Sequence, residues 1–135
     1  MPHRSTDYHD RADAGRALAS FAATPEAREL LLKLLLDAGD TFVTQATAEA
    51  LLRRQDAAGL AAVASALAKA DFNHADWIHT AVIDVFGIFG SDRDAALRNC
   101  ETLVRDHGGS LRQGAGQLRE MLIEINPVLY PTCRT

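Results

Sequence analysis

The sequence is poor in the features that announce a specialised chemistry. There are two cysteines, Cys100 and Cys133, too few and too widely placed for a disulfide framework, so a reducing cytoplasmic setting is expected. The first residues, MPHRSTDYHDR, contain no apolar stretch of the kind that directs secretion. The longest apolar run, Leu30 to Leu36, is interrupted by Lys33 and falls far short of a membrane span. β-Branched runs are scarce, which argues against a sheet protein. Charge of one sign is also lacking. A net charge of −4 argues against a chain whose affinity comes from neutralising phosphates, so nucleic acid is not an expected partner.

Catalytic and metal signatures are missing as well. His74, Asp76 and His79 suggest a metal site, but two histidines five residues apart diverge on a helix, and no His-Glu-x-x-His is present. GGSLRQGAG at 108–116 is glycine-rich but lacks the Gly-Lys-Ser/Thr ending and a preceding strand, so it reads as a turn opening a helix. Cys100 falls in a helical phase that buries it, which leaves it without the exposure and adjacent base a nucleophile needs. No catalytic residue, metal or cofactor is assigned.

What the chain does have is alanine and helical periodicity. Hydrophobic residues make up 47% of it, yet the mean hydropathy is only −0.08 because alanine carries much of that fraction. Alanine favours helices that approach closely, and 135 residues suffice for one core, so the expectation is a single all-α domain. A polar, flexible N-terminus occupies 1–9, the domain 10–125, and a C-terminal tail 126–135.

Seven helices are expected. The first covers 10–23, with Ala14, Ala17, Leu18 and Phe21 inward. Thr24-Pro25 opens the second, which carries Leu30, Leu31, Leu34 and Leu35 and stops at a Gly39 cap. Helices at 41–54 and 57–70 follow, the latter capped by Asp56. After a connection at 71–75 come helices at 76–89 and 92–105, the second opened by a capping box of Ser91 and Asp94. The last helix runs from the Gly108-Gly109-Ser110 turn to Ile125, with Leu111, Ala115, Leu118 and Leu122 inward. It is expected to cap the end of the array, with Val128, Leu129 and Tyr130 folding back over it.

Two of these helix pairs repeat each other. Val43, Thr47, Ala50 and Leu51 match Ile78, Val82, Val85 and Phe86 at a shift of 35. In the partner helices Leu60, Val63, Ala66 and Leu67 match Leu97, Cys100, Leu103 and Val104 at a shift of 37. Ala17 and Leu18 join at a shift of 33 from Ala50 and Leu51. A fixed-period helical pair is the signature of stacked hairpins whose usual business is to present a surface.

The pattern Asp40, Val43, Ala46 or Thr47, Ala50, Leu51 and Asp56, followed by Leu60, Val63 and Leu67, resembles the HEAT repeat and its shorter HEAT-like relatives. The resemblance covers roughly residues 10–125. It implies an armadillo-like α-solenoid, a short right-handed α-α superhelix of about three helical hairpins. The usual Arg or Lys after the valine is replaced here by Thr44 and His79.

The resemblance also implies that the helices carrying Asp-x-x-Val line the concave side. Spacing then places Phe42, Gln45, Glu49 and Leu52 on one stripe and Trp77, Thr80, Asp84 and Gly87 on the next. Phe42, Gln45, Glu49, Trp77, Thr80 and Asp84 are the candidate partner-binding residues. Asp84 stands among Val82, Ile83, Val85 and Phe86, so it must face water or meet a partner.

The function expected is a noncatalytic protein–protein interaction module that meets another protein through a mildly acidic groove, with a basic surface on the partner. A sharper version is an immunity or antitoxin-like protein that covers a toxin. An alternative from a different class is a HEAT-like lyase or nucleic-acid repair enzyme using Trp77 and Asp84.

Overall fold

The computed structural model describes residues 7–37 and 40–129, with side chains from Asp10 onward. The expected Gly39 cap, the fold-back of Tyr130 and the site of Cys133 lie outside them. The described residues form seven α-helices and no named strand: α1 Asp7–Ala19, α2 Pro25–Leu35, α3 Thr41–Leu52, α4 Ala57–Lys69, α5 Phe72–Phe86, α6 Gly90–Asp106 and α7 Gly109–Glu124. The all-α expectation holds. No helix among the described residues is long and apolar enough to cross a membrane.

Several helix starts follow from local chemistry. Thr24 Oγ1 accepts the Ala27 N–H, Asp40 accepts that of Phe42, and Asp56 accepts that of Gly59. Each satisfies an amide that the first turn of a helix leaves without an intrahelical acceptor. Between α3 and α4 the chain turns through Gln55, whose φ of 58° is the left-handed region that non-glycine residues seldom occupy.

Three starts differ from the sequence reading, the first being that of α1 at Asp7, within the segment expected to be a flexible N-terminus. α5 begins at Phe72, because Asp71 serves as its N-cap and accepts the His74 N–H at 2.8 Å. α6 begins at Gly90 without a capping box: Asp94 takes Arg93 Nε instead, and the Gly90 N–H is bound by the Leu129 carbonyl at 2.7 Å. The tail therefore supplies from a distance what a local cap was expected to supply. Val128 and Leu129 donate to the carbonyls of Gly87 and Ile88, forming a short parallel bridge.

The helices lie in two rows. α1, α3 and α5 pack side by side, while α2, α4 and α6 contribute to the second row. α7 does not simply cap the end. It packs extensively against both α4 and α6, which touch each other far less, so it occupies a slot between them. Gly114 makes this possible: a Cβ there would overlap the Ala64 carbonyl oxygen. Arg93 on α6 holds the other end by donating to the carbonyls of Leu122 and Ile125 at 3.0 and 2.8 Å. Those carbonyls sit at the helix C-terminus, where Leu122 keeps only a 3.2 Å bond from the Ile125 N–H and the helix ends before Ile125 can be bound by a further turn.

The repeated positions supply the core. Val43, Thr47, Leu51, Ile78, Val82, Val85 and Phe86 are buried, as are Leu60, Val63, Ala66, Leu67, Cys100 and Leu103. The inner face of α1 is not the expected one. Ala12, Gly15 and Ala19 are buried, Ala14 and Ala17 are exposed, and Phe21, beyond the helix end, is 60% exposed. Small residues decide this, since Gly15 lies so close to Thr47 that no Cβ fits between them. In α2 the burial falls on Ala27, Leu31 and Leu35, and Leu30 is exposed.

Candidate functional site

α3 and α5 run parallel, and two contacts fix their relative height. His74 Nε2 lies 2.7 Å from the Asp37 carbonyl, and Gln45 Nε2 donates to Asp84 Oδ2 at 3.2 Å. The separations, 37 and 39 residues, exceed the repeat shift of 35. Helix equivalence and physical contact are thus offset by up to one turn: Gln45 meets Asp84, whereas sequence matching set Gln45 beside Thr80 and Glu49 beside Asp84.

All six candidate side chains lie at the surface or at its edge. Phe42 is 41% exposed and Asp84 is exposed; Gln45, Glu49, Trp77 and Thr80 are half-buried. Asp84 reaches water and also has a hydrogen-bond donor in Gln45, which resolves the cost of a carboxylate on an otherwise apolar helix. Glu49 approaches Arg53 Nη2 at 3.9 Å, one turn along its own helix. The Thr80 hydroxyl donates to the Asp76 carbonyl at 3.1 Å, so it is engaged within α5.

The row α1·α3·α5 has a marked acid excess. Among the described side chains, its helices with the caps of α3 and α5 carry seven carboxylates (Asp10, Asp13, Asp40, Glu49, Asp71, Asp76 and Asp84) against Arg11, Arg16 and Arg53. The chain as a whole is −4, so the acid excess is concentrated on this row. The Arg16–Asp13 pair at 2.8 Å is exposed, and pairs of that kind contribute little to stability.

Below Asp84 a cleft of about 340 Å³ opens between α5 and α7, lined by His79, Ile83, Gly87, Met121, Glu124, Ile125 and Asn126. Sequence reasoning found its α5 wall in part, through Gly87, and missed its α7 wall. The available signal was Ile83, which falls outside the buried Ile78, Val82, Val85 stripe and is 47% exposed. A larger groove of about 600 Å³ lies on the opposite row, where α2, α4 and the start of α7 meet, with Arg28, Glu29, Leu32, Ser65 and Lys69 among its walls.

His74, which the sequence reading left in the connection at 71–75, is the third residue of α5 and almost buried. Its Nδ1 lies 2.8 Å from Asp71 Oδ1, and the Asp37 carboxylate accepts Arg11 Nε at 2.8 Å. The Asp37 carbonyl, then Asp71, hold the His74 pKa above its ordinary value, while burial works against them. His79 lies in the cleft, apart from this cluster. Among the described residues no three His, Cys, Asp or Glu side chains converge in a way that could hold a metal ion. Cys100 is fully buried, and burial foremost, aided by Glu101, pushes its thiol up to about 12.

Neither family models, nor curated protein sequences, nor solved structures match this chain.

Proposed function

We propose that this chain is a noncatalytic protein-interaction module: a short HEAT-like stack whose α1·α3·α5 side receives a protein with a basic surface. In this reading α1, α3 and α5 are the leading helices of three successive hairpins, and α7 fills the second row in place of a further repeat. The observation that carries it is the acid excess of one helical row beside two partly exposed aromatics, Phe42 and Trp77. Aromatic anchors supply most of the affinity at such a surface, and carboxylates around them choose the partner and steer its approach. The Gln45–Asp84 bond holds the central acid in place across the helix boundary.

The lyase or repair alternative requires a ligand-sized pocket around Trp77 and Asp84. The 340 Å³ cleft below Asp84 includes neither Trp77 nor Asp84 in its walls, and the larger groove lies on the other row, away from both residues.

The test compares three baits in affinity purification from the native cells with mass spectrometry: the intact chain, Trp77→Ala and Asp84→Lys. Both variants are expected to keep the wild-type helicity with at most a modest fall in melting temperature, since Trp77 is half-buried and Asp84 exposed, and circular dichroism of each bait checks this. The expected result is a protein with a basic surface captured by the wild type and lost by both. Equal capture by all three baits refutes the assignment of this face.

A further inference from the structure

We infer that the His74 imidazole in its protonated form is a latch between the α2–α3 connection and the start of α5, and that losing this proton loosens the end of the α3/α5 face where Trp77 sits. The geometry points to it directly. Nδ1 lies 2.8 Å from a carboxylate oxygen of Asp71, and Nε2 lies 2.7 Å from the Asp37 carbonyl oxygen. Both partners only accept hydrogen bonds. A neutral imidazole has one N–H and satisfies one of them, leaving the other nitrogen's lone pair against an oxygen; the imidazolium satisfies both. The residue is 9% exposed, so little water reaches the ring to take over a lost contact.

Among the described residues, the charged groups that bear on the ring come from three elements. Asp71 belongs to the connection ahead of α5, and Asp37 follows α2. Arg11 of α1 is bound to the Asp37 carboxylate at 2.8 Å and opposes a second positive charge nearby. The C-terminal end of α2 favours a cation, while the N-terminal end of α5 disfavours one, and the Asp71 carboxylate offsets the latter. The net direction is a pKa raised from 6.5. Stability from the latch is then fully present below pH 6.5, where the unfolded chain binds the same proton. It is lost as pH rises through the folded-state pKa. Because His74 precedes Trp77 by three residues on the same helix face, the latch sets where that side chain stands relative to α3. This holds whether or not the face docks a partner.

The experiment follows the ring nitrogens of His74 by proton–nitrogen NMR in the full chain between pH 5 and 9, with Asp71→Asn and His74→Gln alongside. Asparagine still caps the helix, so Asp71→Asn removes the charge and keeps α5. The expected results are a ring more than half protonated at pH 6.5, both of its nitrogens carrying hydrogen, and a lower midpoint in Asp71→Asn. The melting gap between wild type and His74→Gln is largest at low pH and narrows as pH rises. A ring half protonated or less at pH 6.5, an unchanged midpoint in Asp71→Asn, or a melting gap independent of pH would each overturn the latch. Should His74→Gln not fold, the wild-type titration and Asp71→Asn decide it.

Discussion

Two glycines in one helix should respond to alanine with opposite signs. Gly114 faces α4, where an added Cβ would overlap the carbonyl oxygen of Ala64. Gly116, two residues on, has nothing within 4 Å of the same added atom. Replacing glycine by alanine inside a helix gains about 1 kcal/mol in either case. At Gly116 that gain stands alone. At Gly114 the obstacle is backbone and cannot rotate aside, and α6 closes the other flank of α7. Overpacking of this kind costs on the order of 3 kcal/mol, which leaves a net loss of about 2 kcal/mol after the propensity gain. For a chain of this size, 1 kcal/mol corresponds to about 4 °C in melting temperature. Gly114→Ala is therefore expected to melt about 8 °C lower and Gly116→Ala about 4 °C higher than wild type. Urea unfolding followed by circular dichroism at 222 nm gives the same comparison as free energies. A stabilised Gly114→Ala, or two shifts of the same sign, would refute the close crossing of α4 and α7.

Thr47 and Thr44 are fully buried, and their hydroxyl oxygens find no hydrogen-bond partner. Thr47→Val keeps the shape while removing the orphaned group, so stability rises by about 1 kcal/mol, read from the urea midpoint; a fall would mean that the hydroxyl is engaged. Cys100, with its thiol pushed up to about 12 and no exposed surface, is expected to resist alkylation in the native state. In a Cys133→Ser chain, iodoacetamide at pH 8 labels Cys100 only after denaturant is added, and rapid native labelling would contradict its burial.

The parts of the fold that were legible in the sequence are those that a few neighbouring residues decide. Thr24 and Asp56 cap helices through amides three positions away, as read, and Asp40, taken in the sequence as the opening of the repeat pattern, caps α3 through the amide two positions on. The inward stripe Ile78, Val82, Val85 and Phe86 follows from one helical period. Features set by distant chain escaped. The start of α6 depends on Leu129, the packed side of α1 on Thr47, and the slot for α7 on Ala64. The candidate face was partly legible for the same reason. Periodicity placed Gln45 and Asp84 on outward stripes, but a repeat shift states which residues are equivalent, and packing offset states which ones touch. The α7 wall of the cleft, about forty residues from α5, left no local trace at all.

The slot taken by α7 has a consequence for assembly order. An open array grows by laying each new hairpin on the previous one, so its earlier members are complete before later ones exist. Here the flank of α4 around Ala64 stays bare until residues 109–124 emerge and insert beside it. The nascent chain must then hold an alanine-rich surface uncovered over the roughly forty residues made between α4 and α7, and in the finished molecule that flank of α4 is taken.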